Sequence, residues 1–411
     1  MNRNKIVENL GLLGICIYGV STVVSKAGIN IGMGIMLLSS LFFIKKFSLK
    51  KLNKELKYLL ILILLIPVFD LLSPGGIKSS LISIEKSYRF FPVFLIPIFI
   101  NDLKKLKYFM YSIGLSILIN CSYGIYLQNK YNWKINRYYS FTDIMNSAHC
   151  LTALSFIVLA LVFISYKEKK KINLVIFTGI YFLNLFCILL GKTRGSWLAF
   201  IGAIIMCIVI FLHWKKSLTI LIGFALGLIF MLNSEYFSNN KYINRIKSIE
   251  NVKVASPKIR LLMWEAGKDI YIENPIFGVG KDNGSKYYLK KLDENNSYER
   301  LGKGKASLRK IGSSANPHNM YVDNFVNMGS LAFLWLGYLG YILIEQIKYI
   351  LKNKKTEKYF YLMANLGITI SFYITGLTES AWNNLWKRNV FLIGVAIFVS
   401  LKKIEDRLSE K

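Results

Sequence analysis

Apolar stretches of nearly constant length, separated by short basic runs, limit what this chain can fold into. Segments such as 59–69 and 151–165 carry no charged residue, whereas 167–171 (Lys-Glu-Lys-Lys-Lys) carries nothing else. Each apolar block is roughly 16 to 22 residues long, close to the ~20 residues a helix needs to cross a ~30 Å hydrocarbon core. Barrel strands would be half as long and would alternate in polarity. With 54% hydrophobic and 18% charged residues, the composition is that of a chain whose solvent is lipid.

The blocks predict an all-α, polytopic transmembrane bundle of about twelve spans, near 11–24, 28–44, 56–72, 81–100, 109–127, 148–166, 172–190, 196–212, 218–232, 320–344, 359–377 and 390–401. Residues 1–232 then hold nine spans, 233–318 one large extracytoplasmic loop, and 319–411 the last three spans and a cytoplasmic tail. Arg3 and Lys5 precede an apolar stretch with no clear cleavage site, so the first helix is expected to be retained. The five cysteines, Cys16, Cys121, Cys150, Cys187 and Cys207, lie in or beside spans and read as packing residues.

Lysine and arginine gather on the cytoplasmic side of short loops. Placing the N-terminus inside puts Lys104, Lys105, Lys107, the 167–171 run, Lys215, Lys216, five lysines between 348 and 358, and the C-terminal Lys402, Lys403 and Arg407 on that same side. Both termini are therefore expected in the cytoplasm, and the long loop outside. The loop carries 16 basic and 9 acidic residues, which suits a polyanionic partner such as a lipid diphosphate, although basic residues also grip anionic headgroups. Ile259, Leu262, Met263, Ala266 and Ile270 recur at helical spacing, so the loop is expected to form a small helical cap, with a polar and mobile middle over 282–307.

Three outer segments combine unusual residue types with a backbone able to present them. Gly191-Lys192-Thr193-Arg194-Gly195-Ser196 is a glycine-flanked turn in which Ser196 is placed to cap the next helix, making an anion-binding corner beside Lys192 and Arg194. The alternative is that both cations reach the outer headgroups. Arg260, Trp264 and Glu265 lie on the loop's amphipathic stretch, ahead of Asn274-Pro275-Ile276-Phe277-Gly278-Val279-Gly280. There Arg260 can grip a diphosphate bidentately, Trp264 can anchor on apolar surface or lipid, and Glu265 can pair along the same helix. Asn316-Pro317-His318-Asn319 opens the tenth span. Imidazole, with an ordinary pKa of about 6.5, is the natural base near neutrality, and Asn319 can orient it or bind sugar. His149 and His213 are weaker candidates. Arg89, beside an apolar stretch, needs a polar cavity and is read as contacting a lipid diphosphate or a sugar. Glu379 reads as an ion-pair partner. No residue cluster has metal-ligand spacing, no nucleotide-binding loop is present, and neither a cofactor nor a nucleic-acid partner is expected.

In this order, the arginine-glycine turn, the arginine-tryptophan helix before Pro-x-x-Gly-x-Gly, and the His-Asn pair resemble the O-antigen ligase family over about 191–340. The resemblance implies a metal-independent, inverting membrane glycosyltransferase of the inner membrane, its site facing the periplasm. Its donor would be a glycan on undecaprenyl diphosphate and its acceptor lipid A-core or another glycolipid. Arg194 and Arg260 would bind the diphosphate, His318 would take the acceptor proton, and Lys192, Arg89, Asn319 and Trp264 would contact substrate. A polysaccharide polymerase uses the same donor and stays open as an alternative. A lipid-linked glycan transporter is less favoured, because no repeat or mid-span acid is present.

Overall fold

The computed structural model describes residues 3–42, 52–134, 137–212, 215–217, 219–220, 222–223, 255–301, 316–354 and 356–409, and these contain helices and no strand. A hairpin of α1 (Arg3–Ser21) and α2 (Lys26–Leu41) leads to α3 (Lys54–Leu72), α4 (Gly76–Ser87), a 3-10 turn at Tyr88–Phe90 and α5 (Phe91–Phe99). Next come α6 (Leu103–Lys130), α7 (Ile144–Lys167), α8 (Lys171–Leu190) and α9 (Arg194–Phe211). The loop supplies α10 (Ala255–Glu273), α11 (Gly284–Glu294) and α12 (Ser297–Leu301). The chain closes with α13 (Met320–Met328), α14 (Leu331–Lys352), α15 (Tyr359–Gly376) and α16 (Leu385–Ser409).

Five of these helices, α6, α7, α8, α9 and α14, are long and apolar enough to cross a membrane. The block at 218–232 and His213 lie mostly or wholly outside the described residues. Two other expected spans are each broken in two. Residues 81–100 divide at the Tyr88–Phe90 turn, where Pro92 enters α5 without an N–H to continue the ladder. Residues 320–344 divide at Gly329, which ends α13 at φ +57°.

Helix α7 runs through the middle of the bundle and is buried on nearly every side. Its Ser147, Ala148, Thr152, Ala153, Ser155 and Ala160 are buried small residues, the kind that let neighbouring helices approach closely. It packs against α6, α8, α9, α15 and α16. By contrast, α8 and α9 turn Val175, Phe182, Phe186, Leu198 and Val209 outward. Charges collect at the two ends. One end is tied by Lys105–Glu8, Lys107–Glu168, Lys402–Glu55 and Lys358–Glu405, joining the starts of α3 and α6 to the ends of α7 and α16. The loop helices sit at the other end.

Those helices have a small apolar cluster of their own. The expected periodicity is realised in α10, whose Leu262, Met263, Ala266 and Ile270 pack with Val279, Tyr288, Leu292 and Val326. The polar middle forms α11 and α12 as far as Leu301, with Tyr288 and Leu292 packed in this cluster, and 302–307 lies outside the described residues. The Pro-x-x-Gly-x-Gly stretch then clasps the end of α13, chiefly through backbone, with the Ser330 hydroxyl also donating to Ile276 O (2.8 Å). Val279 N donates to Val326 O (2.9 Å), Gly280 N to Asn327 O (3.1 Å) and Ser330 N to Ile276 O (2.9 Å), pairing carbonyls that the helix terminus leaves open. Gly278 (φ +66°) and Gly329 (φ +57°) pack backbone to backbone, and a Cβ on Gly278 would lie 2.6 Å from the Asn327 carbonyl.

Gly329→Ala should therefore lower stability by about 2 kcal/mol or more, since the added methyl meets backbone at a φ that alanine avoids. Gly337→Ala, with open space around its Cβ position in α14, should be neutral or gain up to about 1 kcal/mol. Thermal unfolding of the two purified variants checks the contrast.

Candidate functional site

At the loop end of the bundle, three turns lean on one another. The α8–α9 turn begins with a helix start earlier than expected. Arg194 is the first residue of α9 and Thr193 its N-cap, while Ser196 donates from Oγ to the Thr193 carbonyl (2.8 Å) and does not cap the helix. Arg194 thus stands at the positive end of the α9 dipole, and Lys192 is held at φ +47°. Gly195 is needed for close approach: a Cβ there would run into the Thr378 hydroxyl and lie 3.1 Å from His149 Cε1. The arginine turn is consequently pressed onto α7 and onto the turn after α15.

That second turn carries Glu379, whose side chain is buried. Its Oε2 accepts from Lys387 Nζ at 3.1 Å, and its Oε1 faces His318 Nδ1 at 3.6 Å, a charge contact longer than a hydrogen bond. Burial alone would raise the Glu379 carboxyl, but the His318 imidazole and the Lys387 charge outweigh it and hold the group at about 2.

The third turn presents His318 in the left-handed region at φ +47°, a conformation costing a non-glycine residue roughly 1–2 kcal/mol. Such strain persists only where surrounding contacts enforce it. Here Asn316 Oδ1 accepts from His318 N (2.8 Å) and from Ser380 Oγ (2.6 Å), binding the second turn to the third. The half-exposed His318 ring stays accessible. Asn319 turns its Oδ1 to helix capping, accepting from Tyr321 N (2.9 Å) and Val322 N (3.2 Å).

Helix α10 is tied to this turn through Trp264, whose Nε1 donates to Pro317 O at 2.8 Å; the indole is a tether as well as an apolar surface. Arg260, one turn earlier on α10, lies within electrostatic reach of His149, as do Glu379, Lys387 and Arg137. Glu265 pairs with Arg300 of α12 (2.8 Å) and not along its own helix, as the sequence suggested. His149 is buried, its Nδ1 3.1 Å from Thr375 Oγ1. Arg89 has other neighbours: Tyr88, Phe90 and Arg388.

Two participants escaped the sequence reading. Arg137 spans the α8–α9 turn, donating from Nε to Gly191 O (3.1 Å) and from Nη2 to Thr193 Oγ1 (2.7 Å). Lys387 is the cation behind Glu379. Both lie on the side the charge rule leaves poor in cations, and that placement is the signal that marks them. Among the described residues, no three His, Cys, Asp or Glu gather as metal ligands.

Apolar helices of membrane-crossing length thus carry a polar, cation-rich cluster at one end. Residues 179–337 match the family model described as O-antigen ligase. The match takes in the Arg194 turn, α10, the glycine clasp and His318, whereas Glu379 and Lys387 lie beyond it. No curated protein matches the chain.

Glu379→Gln leaves Lys387 buried without a counter-charge and should destabilise the protein by about 3–5 kcal/mol at neutral pH. Because the folded carboxyl titrates near 2 against an ordinary 4.5, its contribution is complete above about pH 4.5 and lost as pH falls towards 2. Melting curves between those limits should fall steeply for the parent and less steeply for Glu379→Gln.

Proposed function

We propose that this protein transfers a glycan from undecaprenyl diphosphate to a sugar hydroxyl of lipid A-core, or of another glycolipid, on the periplasmic face of the inner membrane. The acceptor oxygen attacks the donor's anomeric carbon as the carbon–oxygen bond to the diphosphate breaks. The diphosphate leaves with the bonding electrons, and the acceptor proton passes to His318. A single displacement of this kind inverts the anomeric centre. Arg194 and Arg260 offset the charge that develops on the leaving group, so no divalent cation is required. Lys192 adds positive charge at the same corner, while Trp264 and Asn319 line it from the loop side.

The observation that carries this reading is the arrangement behind His318. A carboxylate held by Lys387 faces the imidazole Nδ1, suited to fixing the ring so that its other nitrogen meets the acceptor and to balancing the imidazolium that forms. The strained, half-exposed His318 and its tie to α10 through Trp264 support it further. The same reading takes the twelve apolar blocks as spans, both termini as cytoplasmic and the loop helices as a cap. Ion pairs that join alternate helix starts and ends at the opposite pole agree with it.

The test is transfer of a glycan from undecaprenyl diphosphate in chelator, with and without lipid A-core, by the parent and three variants. Arg194→Ala and Arg260→Ala should each lose about 10²- to 10³-fold, and His318→Ala about 10²- to 10⁴-fold. Undiminished transfer by His318→Ala would remove its role as base. Lengthening of the lipid-linked glycan without lipid A-core would identify a polymerase, and glycan movement without a covalent product would identify a transporter.

A further inference from the structure

On α16, the residue after Lys387 points to a different environment. Arg388 is 5% exposed, and its guanidinium lies 4.6 Å from the centre of the Phe90 ring. Nη1 makes a long contact with the Trp382 carbonyl (3.4 Å), while Nε and Nη2 are buried with no hydrogen-bond partner among the described residues. Arg89, in the turn that breaks the α4–α5 span, likewise has a buried Nε without a partner. Its guanidinium stands 5.7 Å from the Tyr88 ring. Arg89 is a neighbouring cation that acts on Arg388, and the Tyr18 and Tyr88 phenols near it are neutral at physiological pH.

Neither arginine forms an ion pair with a carboxylate among the described residues. The nearby acid is otherwise engaged: Asp323 accepts from Asn383 Nδ2 (2.7 Å) and from Asn327 Nδ2 (2.8 Å). Lys281, whose charge also interacts with Arg388, directs its ammonium to Asn383 Oδ1. Burial and these neighbouring cations, against the pull of Asp323 and Asp282, bring Lys281 down to about 8. The region therefore holds more positive charge than it balances.

A buried Arg388 guanidinium with no paired carboxylate, and with the partly buried Arg89 near enough to repel it, is strongly unfavourable. The open donors also have a geometry. Nε and Nη2 form one edge of the Arg388 fork and match two oxygens of an oxyanion, and Arg89 Nε adds a third donor from another element. Three donors from two forks suit a tetrahedral group with several free oxygens better than a two-oxygen carboxylate. We infer that Arg388 and Arg89 form a second anion site, which binds a phosphate ester between the α4–α5 break and the start of α16. Its supply is a lipid headgroup or a phosphorylated substrate. The inference goes beyond the catalytic reading and stands without it.

The experiment uses the full-length protein in neutral detergent carrying Arg194→Ala and Arg260→Ala, so that the proposed diphosphate corner contributes nothing. Thermal unfolding is followed against inorganic phosphate, short-chain phosphatidylglycerol, and chloride at matched ionic strength, and circular dichroism checks helical content. Phosphate or phosphatidylglycerol should raise the melting temperature where chloride does not. Arg388→Gln and, independently, Arg89→Gln should weaken that binding by about tenfold or more. Without phosphate or lipid, Arg388→Gln should melt at or above the parent, because it removes an uncompensated buried cation. A response to phosphatidylglycerol alone supports the site with a headgroup as its source, and a response to inorganic phosphate supports it with a phosphorylated substrate. Equal shifts in parent and variants, no shift with either probe, or the same loss of stability in Arg388→Gln with and without ligand would overturn the inference.

Discussion

A helix in hydrocarbon can interrupt its hydrogen-bond ladder only where protein takes over the freed peptide groups. Two of the apolar blocks of this chain are interrupted, at Tyr88–Phe90 and at Gly329–Ser330. At the second break, the backbone of Ile276–Gly280 supplies the missing partners, which is why a loop segment remote in sequence is joined so closely to α13. His318 and Asn319 stand at the start of the helix so held. At the first break, the interrupted turn carries Arg89 to Arg388. Both breaks place polar side chains within otherwise apolar stretches of sequence.

The second organising interaction is the buried Glu379 carboxylate. It takes Lys387 on one oxygen and faces His318 with the other, while its neighbour Ser380 holds Asn316. The turn from 378 to 380 therefore gathers α16, the His318 entry and, through Thr378 against Gly195, the start of α9. Buried ion pairs are seldom net stabilisers, so the value of this one lies in geometry. It sets a carboxylate oxygen against one nitrogen of a half-exposed imidazole.

Much of this organisation is written in the chain. Block length identifies helices of membrane-crossing length, and the period of Ile259, Leu262, Met263, Ala266 and Ile270 marks α10. The order of three short motifs is enough to point to the family. Side-chain direction is harder to read. Asn319 has a cap's chemistry as well as a sugar ligand's, and only the position of α13 decides how its oxygen is used. Trp264 looks like an anchor to lipid until Pro317 O is found beside its indole nitrogen. Lys387 and Arg388 are adjacent in sequence yet face different surroundings, a distinction that depends on which helices flank the start of α16. The break at Tyr88–Phe90 is hidden by the hydropathy of Phe91–Phe99, which reads as continuous span despite two prolines.

The ion pair between Glu55 and Lys402 joins residues 347 positions apart, and Lys281 N meets Asp70 Oδ1 across 211. At about 5–20 residues per second of synthesis, roughly 20–70 s separate the emergence of Glu55 from that of Lys402. For all of that interval α3 lacks its ionic partner at one end, and for the first part of it, until Lys281 is made, it lacks the loop contact at the other as well. Until Lys402 emerges, the pocket that buries Glu55 is incomplete. This end of the bundle therefore cannot close until α16 has been made and brings Lys402 to α3.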